Sequence, residues 1–284
     1  MNLVDRLYLF YLAAVAALAV WSGHAAIKLV SLHVAIAFSI WILAATRHRS
    51  PVIRFLHDWY PLALFIFSFE EVARLSLAVV PQWQDFHVIS FEQYVFPASP
   101  NLAALRISSQ PLSELMALGY FSYYPLFPVV AGLLYARKDK RPFRNLVLES
   151  VLMYLIAFAV YIGFPTEGPR HALAGFHPPP GGWIFGRLVQ MIQSGAGVHG
   201  NALPSSHVGL ALLCAISAQR MLPRVAPFIW MSLCLICLAA VYGGYHYLSD
   251  VLAAVVVALT AAVLRSLIVS LSCRMNRQSS VAKA

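Results

Sequence analysis

Two histidines, an aspartate and an arginine are the residues of this chain whose types and spacing suit bond-breaking chemistry. His246 is followed four residues later by Asp250 in His246-Tyr247-Leu248-Ser249-Asp250. On a helix, positions i and i+4 share a side. The carboxylate there can accept a proton from one imidazole nitrogen, fix the tautomer and raise the basicity of the other nitrogen. Taken alone, the same spacing describes a structural pair equally well. His207 follows Pro204-Ser205-Ser206 and stands at the start of an apolar run. Serine is a helix N-cap residue, and a helix N-terminus offers free N–H groups and a positive dipole end to a phosphate. Taken alone, it is an ordinary capped helix. Arg170 lies in Phe164-Pro165-Thr166-Glu167-Gly168-Pro169-Arg170-His171, after a bend through two prolines and a glycine. Its guanidinium can clamp phosphate oxygens in bidentate fashion, or reach up to lipid head groups as an interfacial anchor.

The elements that must position these residues are membrane helices. The chain of 284 residues is 60% hydrophobic and 11% charged, against about 45–50% apolar and about 25% charged for a soluble domain. Eight stretches are long enough, or nearly so, to cross a hydrocarbon core, which takes about 20 residues. They run over Leu7–Ser22, Leu29–Ala45, Trp59–Val80, Leu115–Ala136, Leu146–Phe164, Ser206–Met221, Pro227–Tyr242 and Tyr247–Leu271. The leader before the first is only weakly basic, so that span reads as a retained helix and not a signal peptide. His207 and His246 are 39 residues apart, or two crossings, so the chain goes across and returns. No span separates Arg170 from His207. All three are therefore expected at one membrane face.

The net charge of +9 is a matter of topology. Fifteen of the 20 Lys and Arg residues fall on the opposite side from this face, around 47–54, 137–144, 220–224 and the two termini. By the positive-inside rule both termini are cytoplasmic, in a bacterial inner membrane, and the site is periplasmic. No nucleic-acid surface is implied. None of Cys214, Cys234, Cys237 and Cys273 lies in an outer loop, so no disulfide framework is expected. Cys234 and Cys237 sit inside an apolar helix and read as core residues. Within the third span, Glu70 or Glu71 can pair with Arg74, as a structural ion pair or as a head-group contact.

Two outer segments, 81–114 and 165–204, interrupt the helices. The first carries Trp83, Phe86, Phe91, Tyr94 and Phe96. The second has Ile184, Leu188, Met191 and Ile192 at helical spacing. Such aromatic-rich amphipathic pieces lie flat at the interface, as anchors or as a lid over a site. One membrane domain is expected: an N-terminal hairpin over 1–50, a six-helix core over 59–271 and a cytoplasmic tail over 272–284.

In order and spacing, Pro204-Ser205-Ser206-His207 and Gly243-Gly244-Tyr245-His246-Tyr247-Leu248-Ser249-Asp250 resemble two signatures of the type 2 phosphatidic acid phosphatase and haloperoxidase superfamily. The resemblance covers about Trp59 to Leu271. It departs from the family where the third signature carries an arginine, here Ala240, and where the clamp carries a lysine, here Gly163. Arg141-Pro142 looks like the clamp but falls on the wrong side. The reduced clamp looks most like the inositol phosphorylceramide synthase branch, and sphingomyelin synthases similarly keep a His–His–Asp set. Those relatives move a phosphorylated head group between lipids.

The resemblance implies an all-α polytopic membrane enzyme that cleaves a lipid phosphoester. His246 would be the nucleophile, Asp250 its partner and His207 the acid and base. Arg170, Ser205, Ser206, His171 and Tyr245 would bind substrate. A phosphohistidine intermediate is expected, with water, an alcohol or a second lipid as acceptor, and with no metal or cofactor. Two other classes compete. A transporter or flippase would spread polar residues through several helices. An intramembrane serine hydrolase would use Ser205 or Ser206 as nucleophile.

Overall fold

The computed structural model describes residues 1–23, 26–196 and 200–281, and of residues 26, 195–196 and 272–281 the backbone alone. Among these residues every regular element is a helix. The order is α1 (Leu3–Trp21), α2 (Ala26–Thr46), α3 (Pro51–Val79), α4 (Asp85–Val95), α5 (Pro100–Leu105), α6 (Gln110–Tyr135), α7 (Arg141–Gly163), α8 (Pro169–Ala172), α9 (Phe185–Ala196), α10 (Ser206–Met221), α11 (Ala226–Tyr242) and α12 (Leu248–Val281).

The eight hydropathy stretches correspond to α1, α2, α3, α6, α7, α10, α11 and α12. By length and composition five are apolar enough to cross a membrane: α1, α2, α6, α7 and α12. Helix α3 is long enough but carries the charges of Glu70, Glu71 and Arg74. It starts at Pro51, eight residues before the expected Trp59, because the Ser50 hydroxyl caps Val52 N–H and Pro51 suits the first helical position. That places Arg54 on a helix and not in a loop. Helix α10 has 16 residues, about 24 Å, which is less than the roughly 30 Å of a hydrocarbon core. A bundle that spans that core therefore leaves an end of α10 recessed below the membrane surface. Helix α12 continues past Leu271 to Val281, so the expected tail begins as helix. The tail's side chains, Cys273 among them, and residues 282–284 lie outside the described residues.

Helix α10 is the axis of the core and packs against α6, α7, α11 and α12. Its buried face is rich in small residues (Gly209, Ala211, Ala215 and Ala218), which let neighbouring backbones approach closely where lipid tails offer no hydrophobic drive. Arg265 of α12 forks onto Glu149 of α7, at 2.7 and 2.9 Å. Arg265 is thus a structural cation, not one of the loop charges. Cys214, Cys234 and Cys237 are free.

The N-terminal helices attach through polar contacts. Asp5 closes a capping box with Asn2 and also accepts from the Tyr60 hydroxyl at 2.9 Å, with His57 Nε2 at 3.1 Å. Glu71 turns away from Arg74 toward the same hairpin. It accepts from the Tyr11 hydroxyl at 3.0 Å and lies 3.0 Å from His33 Nε2. Only Glu70 pairs with Arg74, at 3.6 Å and exposed. Successive residues on a helix point about 100° apart, so Glu70 and Glu71 cannot share a partner face.

Candidate active site

The segment joining α7 to α8 carries Arg170. Gly168 opens α8 with φ 101°, and a Cβ there would come within 3.2 Å of Tyr245 O. Glycine is required by both the left-handed backbone and the close approach. Two further bonds tie this segment to the chain leading into α10. Ala202 N–H donates to Thr166 O at 3.2 Å, and Leu203 N–H donates to Thr166 Oγ1 at 2.9 Å. The loop between α11 and α12 closes from the other side. Gly244, at φ 66°, offers its carbonyl to Arg170 N–H at 3.2 Å, and a Cβ there would collide with Phe176. Ala240 is fully buried, and its carbonyl accepts both Tyr245 and His246 N–H at 3.0 and 3.1 Å. The residue standing where a clamp arginine is expected thus shapes the turn with its backbone.

His207, His246, Arg170, His171, Tyr245 and Ser206 all border one cavity of about 600 Å³. The centroids of the two imidazole rings are 5.7 Å apart, with the ring planes tilted by 58°. His246 Nδ1 lies 2.8 Å from Ala202 O and 3.5 Å from Asp250 Oδ2. A carbonyl can only accept, so Nδ1 carries the proton and Nε2 keeps its lone pair. The carbonyl fixes the tautomer, and the fully buried Asp250 carboxylate adds negative charge beside the ring. Asp250 Oδ2 is itself held by Tyr247 N–H at 2.8 Å. Asp250 stands on this nitrogen as expected, and Ala202 O is a second, nearer partner.

His207 Nε2 lies 3.2 Å from the Tyr120 hydroxyl, and its ring packs on Tyr123 with centroids 4.2 Å apart. Arg170 donates through Nε to Gly243 O at 2.6 Å and through Nη1 to Gln193 Oε1 at 3.0 Å, and it stacks 3.9 Å over the Tyr245 ring. Ser205 departs from expectation. It is fully buried, its hydroxyl caps Val208 N–H at 3.4 Å, and its own N–H is spent on Asp250 O at 3.1 Å. It does not border the cavity, because an N-cap side chain folds back over its own helix.

Sequence reasoning missed the carboxylates and amides that frame the site. Asp85 accepts the N–H groups of Glu167 and Gly168 at 2.7 and 2.8 Å and the Tyr247 hydroxyl at 3.0 Å. Glu92 accepts Ser249 N–H and Oγ–H at 2.8 and 3.0 Å. Burial raises the Glu92 pKa, against the Ser249 bonds that lower it. Asn101 donates to Val241 O and His246 O at 2.8 and 3.0 Å. The segment 81–114 is thus a scaffold for both loops that carry the candidate residues, and Phe86, Phe91 and Tyr94 on it are exposed. The available signal was acidic residues in a segment of otherwise aromatic character. Among the described residues no group of three or more His, Cys, Asp or Glu side chains could hold a metal ion.

The model of the PAP2 superfamily matches residues 87–264, well over half of the chain. The chain belongs to the PAP2 superfamily. The match opens within α4 and ends in α12, so it contains Arg170, His207, His246 and Asp250 and leaves α1–α3 outside. In fold the chain is similar to the crystal structure of LpxE from Aquifex aeolicus, at 15% identity and a TM-score of 0.46, over 58% of this chain and 91% of that one. No curated protein matches the sequence. With its family and its apolar helices, this chain is a helical membrane protein of the PAP2 superfamily. Its cavity extends from the histidines between α3 and α6. Phe69, Ile66, Phe65 and Leu62 line one wall, and Tyr120, Tyr124, Phe127 and Pro128 the other. Phe69 to Leu62 is about 10 Å along a helix at 1.5 Å per residue. The polar end therefore opens into an apolar, aromatic cleft that runs down into the bundle.

Proposed function

We propose that this protein cleaves a membrane lipid phosphoester through a phosphohistidine on His246. The observation that carries the reading is the single cavity whose one end holds His246, His207 and Arg170 and whose other end is an apolar cleft. A phosphate on a hydrocarbon chain matches both ends.

In the first half-reaction, the lone pair on His246 Nε2 forms a bond to phosphorus while the ester P–O bond breaks. His207 gives its proton to the departing oxygen, and the alcohol leaves. The imidazole then bears positive charge, which the Asp250 carboxylate at 3.5 Å stabilises. Arg170 and the N-terminus of α10 meet the charged equatorial oxygens. In the second, an incoming hydroxyl passes its proton to His207 as its oxygen bonds phosphorus, and the N–P bond returns its electrons to Nε2. Water as acceptor releases inorganic phosphate, and an alcohol or lipid acceptor makes a new ester. The reduced clamp, with Gly163 and Ala240 in place of cations, favours testing transfer beside hydrolysis. Such a site needs no metal ion, since this chain's own donors can neutralise the phosphoryl charge. The basic end of the bundle faces the cytoplasm and the site faces away from it.

A serine-hydrolase route through Ser205 is disfavoured by its buried, self-capping hydroxyl; Ser206 borders the cavity, and a fluorophosphonate label on it would support that route. A transport route is disfavoured because Glu149 pairs with Arg265 and Glu71 with the N-terminal hairpin, both away from the cavity, which leaves Glu70 as the acidic mid-helix group at its wall. The test uses purified protein and radiolabelled lipid phosphates, with and without inositol or diacylglycerol as acceptor. Acid-labile phosphohistidine is expected in wild type and absent from His246→Ala. Turnover that survives in His246→Ala sinks the nucleophile assignment, and unaltered turnover in EDTA is expected.

A further inference from the structure

Arg170 is the cation of the cavity, and three contacts orient it. Two come from the loop before α12: Gly243 O accepts from Nε, and the Tyr245 ring lies beneath the guanidinium. The third comes from outside the core bundle. Gln193 Oε1, on α9, accepts from Nη1 at 3.0 Å. A guanidinium has five N–H donors in a rigid fork. With Nε and one Nη1 donor engaged, three remain, and their direction is fixed by the two acceptors that hold the others.

Helix α9 is built to deliver that acceptor. Its first turn is gathered onto a single carboxylate. Glu114 accepts the N–H groups of Trp183, Ile184, Phe185 and Gly186 at 2.7, 2.9, 2.8 and 3.2 Å, which satisfies the orphan donors of a helix start and favours its dipole. The helix is amphipathic. Met191 is exposed, Val189 is buried against α6, and Ile192 and Gln193 border the cavity. Exposed Trp183 and Ile184 flank its start, in keeping with a piece that lies at the lipid interface.

We infer that Gln193 is a positioning residue for Arg170, so that the interfacial helix α9 completes the phosphate clamp by orienting its remaining cation. The inference rests on the reading that Arg170 binds the phosphoryl oxygens. A hydrogen bond to a charged group has a net worth that corresponds to roughly tenfold or more in binding. In this chain it takes the place of charge: an amide fixes the direction of one guanidinium where a second cation is missing.

The experiment uses the full chain in detergent and in phosphatidate-containing vesicles, with inorganic phosphate as the probe. Phosphate affinity is read in two ways: as inhibition of turnover, and as the rise in melting temperature that a bound ligand causes. The second needs no activity. Gln193→Met keeps the length of the side chain and removes the acceptor. It is expected to weaken phosphate about tenfold and lower kcat/KM by about tenfold. Glu114→Gln, which loosens the start of α9, is expected to give the same change at about threefold. In an Arg170→Ala background, Gln193→Met is expected to add less than about twofold to the loss of phosphate affinity, because the two residues act as one unit. Unchanged phosphate affinity in Gln193→Met, or effects that multiply in the double variant, would overturn the inference. Wild-type turnover in Arg170→Ala defeats the underlying reading instead. An inactive Arg170→Ala beside a normal Gln193→Met defeats this one alone.

Discussion

Among the described residues two histidine–aspartate pairs are buried on both sides, and the tighter one is not at the cavity. His57 Nε2 lies 3.1 Å from Asp5, which also receives the Tyr60 hydroxyl and Asn2 N–H. His246 Nδ1 lies 3.5 Å from Asp250. By distance and by number of hydrogen bonds the N-terminal pair is the stronger, yet neither of its residues borders the cavity. Its second ring nitrogen faces another carboxylate, Asp58, at 3.7 Å. At His246 a backbone carbonyl takes the proton-bearing nitrogen, and the other nitrogen stays uncommitted beside a second histidine and an arginine. What separates a fastening from the pair proposed to react is therefore not the pair. It is whether one nitrogen is left with a lone pair where a substrate can reach it.

The comparison can be broken most sharply at His246. His246→Ala is expected to lower turnover by at least about a thousandfold while the protein still folds, as when a residue that acts within a catalytic unit is removed. Rapid-quench labelling checks it, since no labelled histidine should form. Asp250→Asn should cost less, about 10–100-fold, because Ala202 O still holds the tautomer. A loss as large as that of His246→Ala would show that the carboxylate, not the carbonyl, controls the ring. Ile66→Trp, at the exposed wall of the cleft, should lower kcat/KM about tenfold for long-chain lipid phosphates and leave a short-chain analogue within about twofold. That magnitude corresponds to displacing about two methylene groups from apolar contact. The smallest effect on chemistry is expected at the other pair. His57→Ala should change turnover per folded molecule by less than about twofold. It should still cost on the order of 3 kcal/mol of stability, because it leaves the Asp5 carboxylate buried without its partner. Thermal unfolding in detergent measures the second quantity, and active-site titration the first.

Much of this was legible in order and spacing. The apolar runs located all eight long helices to within a turn or two at most ends, because in lipid a crossing must be both helical and apolar. The 39-residue separation of His207 and His246 brought both to one end of the bundle, because two crossings return the chain to where it began. The residues that frame the cavity were not legible. Asp85, Asn101 and Gln193 come from segments that do not cross, and Glu114 from the first turns of α6 ahead of its apolar run, so no span count fixes what they meet. Nothing in the local sequence distinguishes an interfacial anchor from a scaffold. Glu70 and Glu71 show the same limit within a helix: adjacent and identical in charge, one borders the cavity and the other fastens the hairpin.

By itself, then, the sequence determined a helical membrane protein with two histidines, an aspartate and an arginine at one end. Those features follow from hydropathy, helix pitch and the number of crossings, all of which are local. Only the tertiary structure decided that Ala202 O shares His246 with Asp250, that Ser205 is turned into its own helix, and that Gln193 accepts from Arg170. Those outcomes depend on how helices pack and how buried polar groups find partners, and a burial constraint is met by whichever group the fold brings near.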